Sequence, residues 1–381
     1  MKMKLAIAAA VAATFASASY AQSSVTLYGI VDAGFTYTTN VNGNANYALT
    51  SGNIQASRWG LRGVEDLGGG LKTIFTLESG FDVTNGKQNG GLFNRQSFVG
   101  LTQHRFGTIT FGRQFDSMMD YVGPLTAVGS WGGTYMAHII DNDNLNGTFS
   151  LNNAVKYTSP NFSGLQFSGL YAFSNQASGF AVNRAYSAGL SYANQGLRFG
   201  AAYTQINGVN ANATGAVQGS PLVSTFGAVG AVGAFGAESR QRNWGAGASY
   251  AFGPMIGGVV FTQSRIDDTS GNAVRFNNIE GNLRYNLTPA LGIGAMYTYT
   301  NVNGSNSILD AGGSNSAHWH QFALQADYSL SKRTDVYLEG VGMWGAGQNA
   351  VGITQVGFQG SNNFSSSKNQ GIVTTGIRHR F

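Results

Sequence analysis

Runs of alternating apolar and polar residues recur along the chain, and many of them end at an aromatic residue followed by a tight turn. The run 165–171 follows a turn at 157–164, and the run 197–203 follows a turn at 192–196. A period of two residues is typical of a β-strand with two unlike faces. The turns contain Gly, Pro, Asn or Ser, as hairpin connections require. The pattern therefore predicts a protein built of antiparallel hairpins.

Longer segments rich in Asn, Gly, Ser and Thr separate these hairpins, so short and long connections alternate. The long connections span 40–53, 83–91, 114–152, 174–184, 207–240, 267–274, 303–317 and 346–370. The predicted strands number sixteen: 25–39, 54–65, 70–82, 92–104, 107–113, 153–159, 164–173, 185–194, 196–206, 241–252, 255–266, 275–287, 289–302, 318–330, 333–345 and 371–381. Short turns on one side and long loops on the other are typical of a transmembrane barrel, and an even strand count closes it without free edges. The sequence thus predicts one all-β domain, a 16-stranded antiparallel transmembrane β-barrel.

A secreted parallel β-helix is the alternative all-β architecture for a chain rich in Gly and Asn. Such a fold needs a fixed repeat of roughly 20–30 residues. The tyrosines that precede the turns lie at positions 157, 192, 250, 285 and 328, so the intervals between them are 35, 58, 35 and 43 residues. Unequal intervals are expected when hairpins carry loops of different length, and they favour the barrel.

The first 21 residues predict an export signal. Lys2 and Lys4 precede an apolar run at 5–15, and small residues lead to Ala21, after which we expect cleavage. The apolar run is too short to cross roughly 30 Å of hydrocarbon as a helix. We therefore expect a single mature domain at 22–381, exported through the Sec pathway to the bacterial outer membrane.

Composition narrows the function classes. The chain has no cysteine, which excludes a disulfide-stapled scaffold and any thiolate metal or redox site. Without Lys2 and Lys4 there are 20 basic and 17 acidic residues, so the high pI is no sign of nucleic-acid binding. Aromatic residues make up 12% and charged residues only 10% of the chain, which is the opposite of a disordered composition.

The last predicted strand, 371–381, has two unlike faces. One face carries Val373, Thr375, Ile377, His379 and Phe381, and the other carries Thr374, Gly376, Arg378 and Arg380. In a membrane barrel, Phe381 can sit among the interfacial aromatic residues that flank the apolar band. The strand therefore suits a membrane barrel better than a soluble protein, in which Phe381 would be exposed at a ragged end.

Three stretches and the carboxy terminus carry a family resemblance. They are 24–34 (SVTLYGIVDAG), 57–72 (SRWGLRGVEDLGGGLK) continuing to Glu78, the stretch from Arg95 to 106–114 (FGTITFGRQ), and 376–381 (GIRHRF). On these residues the chain closely resembles the general diffusion porins of Gram-negative bacteria, of the betaproteobacterial kind, over its whole mature length. The turn with Glu65, Asp66 and three glycines and the FGRQ segment are the most specific parts.

The resemblance implies a homotrimer of 16-stranded barrels, each with its own water-filled pore. It also implies that the third external loop, here 114–152, folds inward and narrows the pore. The implied partners are outer-membrane lipid, lipopolysaccharide and the barrel-assembly machinery, the last through the carboxy-terminal strand with Phe381 as its signal. The expected function is passive diffusion of ions and small hydrophilic solutes, with no cofactor, metal, nucleic acid or catalysis.

Strand alternation assigns part of the pore wall. Arg58 and Arg62 share a face of one predicted strand, and an arginine facing lipid at mid-depth costs roughly 2–4 kcal/mol. Both are therefore expected to face the lumen. Lys72 and Glu78 lie opposite apolar neighbours on the next strand, so they are expected to face inward too. The lumen position of Arg95 is implied by the resemblance, because its own parity is shared with apolar residues.

The predicted third loop contains acids but neither Lys nor Arg. It includes Asp116, Asp120, Asp141 and Asp143, and Arg113 lies at its base as a weaker candidate for the constriction. With Asp116 and Asp120 opposite the basic wall, we expect a transverse field across a narrow water-filled gap. A solvated lumen residue is the alternative for each arginine, and a turn cap or loop anchor is the alternative for each aspartate. Some relatives carry an arginine in this loop, and its absence here argues against strong anion selectivity.

Other functions would leave different signatures. A substrate-specific channel for sugars or anions would need an aromatic track or clustered lysines, and only Trp131 and Tyr135 form a short aromatic candidate. A plugged transporter or an adhesin would need a further domain. His318 and His320 alternate on one strand face as a metal pair could, but no third ligand lies close in sequence. A hydrolase would need a Ser/His pair, and no GxSxG motif is present.

Overall fold

The computed structural model describes residues 23–208, 214–217, 239–267, 269, 271, 273–305, 316–347 and 364–381. The predicted export signal at 1–21 lies outside these residues, as do parts of the predicted connections 207–240, 267–274, 303–317 and 346–370. Within the described ranges, no helix has the length and apolar character needed to cross a membrane.

Seventeen β-strands in the described part of the chain form one antiparallel sheet. They are β1 (Ser24–Val41), β2 (Asn44–Ser51), β3 (Arg58–Gly68), β4 (Leu71–Gly80), β5 (Gln96–Gln103), β6 (Gly107–Gln114), β7 (Leu151–Thr158), β8 (Leu165–Ala172), β9 (Arg184–Asn194), β10 (Leu197–Asn207), β11 (Arg240–Phe252), β12 (Met255–Asp267), β13 (Ala273–Asn286), β14 (Leu291–Ser305), β15 (Ser316–Ser329), β16 (Thr334–Ala346) and β17 (Asn369–Arg380). From β3 onward each strand pairs with the next, and β1 pairs with β17, so the sheet closes on itself. Because β2 and β3 both pair with β1, they together occupy one strand position of the barrel, which is interrupted between them. With β2 and β3 counted as one strand, the predicted closed barrel of sixteen antiparallel strands is confirmed.

The interruption between β2 and β3 differs from the prediction, which assigned 40–53 to a connection. β2 instead forms a hairpin with β1, and the chain leaves the sheet only between β2 and β3. Asp32 explains the break, because its Oδ2 accepts hydrogen bonds from the backbone N–H groups of Ile54 and Gln55, each at 2.8 Å. Tyr337 donates its hydroxyl to the other oxygen at 2.6 Å. A buried carboxylate thus satisfies backbone groups that have left the ladder, which an alternation pattern cannot reveal.

The two faces of the barrel wall differ in polarity. Outward side chains are apolar and exposed, for example Val259 at 63% and Leu324 at 67%. Inward side chains of the same strands, such as Thr262 and Gln325, are polar and buried. In β17, Arg378 is buried on the inner face, which agrees with the division of this strand into a mostly apolar face and a face that carries Arg378. The wall is therefore apolar outside and polar inside, as a membrane barrel requires.

The carboxy-terminal residue takes part in the seam between β1 and β17. The backbone N–H of Phe381 donates to the carbonyl of Gly29 at 3.1 Å, and the N–H of Gly29 donates back at 3.2 Å. The ring of Phe381 occupies the space that a Cβ on Gly29 would need. Gly29 therefore allows the last residue to pack directly on the first strand, while 41% of Phe381 stays exposed.

The inner segment, residues 115–150 between β6 and β7, is irregular and mostly buried. It contains short helical turns at Met118–Val122, Gly123–Leu125, Thr134–Met136 and Ile139–Asp141 and the four-residue helix α1 (Ala127–Ser130). Its apolar side chains form buried clusters with wall residues; for example, Met118 packs with Val260, and Ile140 packs with Phe276. Because these strands expose their opposite, apolar faces to the outside, the segment lies against the inner side of the wall.

Candidate functional site

Two arginines pair with one glutamate on the inner wall at β3, β4 and the residue before β5, and a third arginine stacks on the tyrosine beside them. Oε1 of Glu78 lies 2.7 Å from Nε of Arg95, and Oε2 lies 3.8 Å from Nε of Arg58. Tyr28 donates its hydroxyl to Oε2 at 3.0 Å. The guanidinium carbon of Arg62 lies 5.4 Å from the centre of the Tyr28 ring, a cation–π distance. This arginine cluster (Arg58, Arg62, Arg95, Glu78 and Tyr28) carries three cations and one carboxylate, an excess of two positive charges.

Strand register and one glycine bring the arginine cluster together. Gly60 pairs with Tyr28 on one side and with Glu78 on the other. A Cβ at Gly60 would lie only 2.8 Å from the Tyr28 ring, so a larger residue would occupy the space through which the tyrosine reaches Glu78. Arg58 and Arg62 flank this glycine at two-residue steps, which places both on the same inner face.

Arg95 reaches the cluster although it precedes β5. Its backbone N–H donates to the carbonyl of Glu78 at 3.2 Å, and its carbonyl accepts the hydroxyl of Ser150 at 2.6 Å. Its guanidinium carbon lies 5.4 Å from the centre of the Phe115 ring. Since Phe115 and Ser150 are the two ends of the inner segment, Arg95 connects the barrel wall to both of them.

Two of the predicted bases lie away from the arginine cluster. Lys72 sits beside the β3–β4 turn, 3.9 Å from Asp66, and its side chain is 47% exposed. Its six-residue separation from Glu78 corresponds to about 20 Å of extended strand. Arg113 donates Nε to the carbonyl of Asn94 at 2.6 Å at the end of β6. We expected both residues at the pore constriction, but neither belongs to the arginine cluster. Lys72 lies at the short-turn end of the barrel, and Arg113 binds a backbone carbonyl at the base of the inner segment.

Asp116 does not face the arginines across a gap, contrary to expectation. It is fully buried and accepts hydrogen bonds from Oγ1 of Thr204 at 2.7 Å and from Nδ2 of Asn144 at 3.2 Å. Burial raises the pKa of Asp116 to about 6. The physical reason for this position is that a buried carboxylate requires hydrogen-bond donors, and the polar inner face of β10 supplies one. Asp116 thus joins the inner segment to the wall.

The other acids of the inner segment are also engaged. Asp120 is partly exposed, and its carboxylate pairs with the ammonium of Lys156 on β7. Asp141 accepts a hydrogen bond from Oγ1 of Thr148 within the segment, and Asp143 is buried against the wall. Within residues 115–150, all of which are described, only Asp120 therefore offers an exposed carboxylate, and the expected row of acids opposite a basic wall is not present.

A buried histidine joins the inner segment to β13. Nδ1 of His138 lies 2.6 Å from Oδ2 of Asp143, and Nε2 lies 3.1 Å from Oε2 of Glu280. Burial alone would lower the pKa of His138, but the two carboxylates raise it to about 10, so both ring nitrogens donate at neutral pH. Burial alone would raise the pKa of Asp143, but protonated His138 lowers it. We call these three residues the His138 clamp.

The histidine pair and the aromatic pair considered in the sequence analysis do not line an open path through the barrel. His318 and His320 are on the outer face of β15 with ring centres 5.9 Å apart, and His320 shares a 2.7 Å hydrogen bond with Tyr297. Trp131 and Tyr135 are only 7% and 3% exposed. They pack between the inner segment and the wall, so they do not form the open aromatic track that a sugar channel would use.

The sequence analysis missed Tyr28, Lys156 and the His138 clamp. Strand parity contained a usable signal for Tyr28, since it shares a face with Asp32 and both point inward. Lys156 likewise shares the inner parity of β7. For the clamp no local signal exists, because His138 and Glu280 are 142 residues apart and meet only through closure of the barrel.

The chain is similar to known bacterial porins. Residues 8–343 match the sequence profile of a family described as Gram-negative porin. An outer membrane porin protein of Bordetella pertussis is 33% identical over 409 aligned positions, covering 99% of this chain and 100% of the relative. Outer membrane porin protein 32 of Delftia acidovorans is 29% identical over 402 positions, with 100% of both chains covered.

Solved porins share the fold. An anion-selective porin from Comamonas acidovorans superposes with a TM-score of 0.74 at 25% identity, covering 94% of this chain and 100% of that porin. OmpT of Vibrio cholerae in its trimer form superposes with a TM-score of 0.66 at 14% identity over 94% of this chain and 99% of OmpT, a likeness of fold alone. The profile match, the full-length relatives and the closed barrel confirm the resemblance found in the sequence: the chain belongs to the Gram-negative porin family of the bacterial outer membrane.

Proposed function

We propose that this porin passes ions and small hydrophilic solutes by diffusion, and that the arginine cluster gives its pore a moderate preference for anions. The excess of two positive charges in that cluster is the observation that carries the proposal. A charged ring or patch at a narrow point of a low-dielectric wall concentrates the counter-ion. Within the inner segment, Asp120 is the one exposed acid that could offset the cluster, and Lys156 neutralises it.

The members of the cluster contribute in different ways. Arg62 is exposed on the inner face, so it offers a guanidinium directly to passing anions. Arg58 and Arg95 are held by Glu78 and act mainly through the local potential. The anion preference of the solved Comamonas porin supports the same direction for this relative of it. A substrate-specific sugar channel is less favoured, because Trp131 and Tyr135 are buried. We also infer a channel rather than an enzyme from the family and the fold.

Reversal potentials in a KCl gradient across a planar bilayer test the proposal. Arg58→Ser combined with Arg95→Ser should lower the anion-to-cation permeability ratio, and Arg62→Ser alone should lower it without leaving Glu78 unpaired. A matched control, Arg105→Ser combined with Arg333→Ser, removes two charges from exposed turns and should change the ratio little.

Salt provides a second criterion. The Debye length falls from about 10 Å at 0.1 M to about 3 Å at 1 M, so the effect of the substitutions should shrink at high salt. If the double variant and Arg62→Ser both show the wild-type reversal potential at low salt, the arginine cluster does not face the ion path and the proposal is wrong.

We further propose a homotrimer of mature chains that begin after cleavage at Ala21. An intact mass of the purified protein tests the cleavage site, and the mobility of unheated samples in gel electrophoresis tests the trimer. We also propose that β17 and Phe381 are recognised by the barrel-assembly machinery, since this strand forms the final seam with β1. Deletion of Phe381 should then reduce the amount of protein found in the outer membrane.

A further inference from the structure

The ring of Tyr28 lies between two arginines on the inner face of the wall. Tyr28 on β1 pairs in register with Gly60 on β3, and Gly60 pairs in turn with Glu78 on β4. A Cβ on Gly60 would lie 2.8 Å from Cζ and 2.9 Å from the hydroxyl oxygen of Tyr28, so the ring crosses β3 directly over this glycine. Arg58 and Arg62 are the inner residues of β3 on either side of Gly60. The ring therefore occupies the space between their side chains.

The two arginines on either side of the ring differ in their partners. Nε of Arg58 lies 3.8 Å from Oε2 of Glu78, and its Nη1 donates to the carbonyl of Ala56 at 3.2 Å. Arg62 instead lies against the ring, with its guanidinium carbon 5.4 Å from the ring centre, and within residues 23–208 it is paired with no carboxylate. The side chain of Arg58 is 21% exposed, whereas Arg62 is exposed on the inner face. Arg62 is thus the guanidinium of the cluster that is most open to the lumen.

Glu78 lies within reach of the Arg62 side chain along the inner face. In the register of β3 and β4, Arg62 pairs with Thr76, which is the inner residue next to Glu78. Diagonal neighbours of this kind lie about 7–8 Å apart, a distance that a long side chain spans. Glu78 is mostly buried, and charge-assisted hydrogen bonds to a buried carboxylate are stronger than the contact of an exposed cation with a ring face. The ring of Tyr28 is therefore the group that separates Arg62 from this carboxylate.

The hydroxyl of Tyr28 acts in the same direction. It donates to Oε2 of Glu78 at 3.0 Å, while Nε of Arg95 lies 2.7 Å from Oε1. Because a carboxylate has about four lone-pair sites, the hydroxyl occupies one of the sites that a further arginine would take. Ring and hydroxyl together keep Arg62 apart from Glu78.

We propose that Tyr28 is a positioning residue of the ion path, which keeps Arg62 unpaired and directed into the lumen. This role rests on the proposed preference of the pore for anions, and it assigns part of that preference to an uncharged side chain. If Arg62 paired with Glu78, the net charge of the cluster would stay the same. One of its two excess charges would, however, move from the exposed Arg62 to the more shielded Arg58, and passing anions would lose their direct contact with an exposed guanidinium.

Reversal potentials of Tyr28→Phe and Tyr28→Leu in a KCl gradient test the proposal. Both variants lack the hydroxyl, and only Tyr28→Phe keeps a ring between Arg62 and Glu78. At about 0.1 M salt, where screening is weak, the leucine variant should show an anion-to-cation permeability ratio about twofold lower than the phenylalanine variant, because one excess charge leaves the lumen surface. The phenylalanine variant should stay nearer to the wild type than to the leucine variant. Equal ratios in the two variants would overturn the proposal.

A change in the shape of the wall would also alter selectivity, and two further backgrounds separate this effect from pairing of Arg62 with Glu78. Arg62→Ser removes the guanidinium, and Glu78→Gln removes the negative charge that attracts it. The difference between the phenylalanine and leucine variants should therefore disappear in either background. A difference that persists in either of them would assign the effect to the shape of the wall and would contradict the proposal. If the variants with Glu78→Gln do not fold, the Arg62→Ser background decides alone.

The proposed function and the proposed role of Tyr28 fail in different ways. If the arginine cluster does not face the ion path, Arg62→Ser has the wild-type reversal potential, and both are wrong. If Arg62→Ser lowers the permeability ratio while the two variants of Tyr28 do not differ, only the role of Tyr28 is wrong. The matched control is Tyr37→Phe with Tyr37→Leu, a pair of changes on the outer face of β1, and both should keep the wild-type ratio.

Discussion

Replacement of His138 by leucine should release the inner segment from β13. The change leaves Asp143 and Glu280 buried without their shared cation, and removing one partner of a buried ion pair costs about 3–5 kcal/mol. The pKa of His138 points the same way: the two carboxylates raise it although burial alone would lower it, so protonation of His138 favours the docked segment.

The direction of the pH dependence follows from the same pKa values. The pKa of His138 is raised by docking, so its contribution is complete below about pH 6.5 and is lost as the pH rises through about 10. The pKa of Asp143 is lowered, so its contribution is present above about pH 4 and is lost in stronger acid. We therefore expect the inner segment to be held most firmly near pH 5–7 and to loosen above about pH 9.

Hydrogen exchange and single-channel recording measure this loosening. In the leucine variant, amides of residues 115–150 should exchange roughly 10²–10⁴ times faster than in the wild type at pH 7, because each 1.36 kcal/mol is a factor of ten. Open-channel noise should rise in the variant at every pH and in the wild type only in alkaline solution. The control is His104→Leu, which makes the same change in an exposed turn. Wild-type exchange and noise in the His138 variant would refute the reasoning.

Two more predictions rest on contacts described above. Asp116→Asn should leave the reversal potential unchanged, because the carboxylate is fully buried, but should speed amide exchange in the inner segment by weakening its contact with β10 by about 1–3 kcal/mol; a change in ion selectivity without faster exchange would contradict this. Gly29→Val should lower the temperature at which the folded gel band converts to the unfolded one, since a side chain there would displace the Phe381 ring. The reduction should exceed that of Phe381→Ala, which removes a ring that is 41% exposed, and the opposite order would show that the ring does not need this space.

The alternation of apolar and polar residues determined most of the architecture. Each of the sixteen predicted strands begins and ends within four residues of a strand in the structure, and β2 is one additional strand that the prediction did not contain. The inward direction of Arg58, Arg62 and Glu78 could also be predicted. Successive side chains of a strand point alternately toward lipid and toward water, so the polarity of each residue indicates which face it occupies. These are local properties, because the alternation within a strand does not depend on which other strands it pairs with.

Only the tertiary structure decided which inner side chains meet. Tyr28 and Glu78 are 50 residues apart, Asp116 and Thr204 are 88 apart, and His138 and Glu280 are 142 apart. The sequence showed acids in the third long connection, but a buried carboxylate takes the position where donors are available, and closure of the barrel sets those positions. For this reason the arginine cluster was partly predictable from parity, whereas the anchoring of the inner segment by Asp116 and the His138 clamp was not.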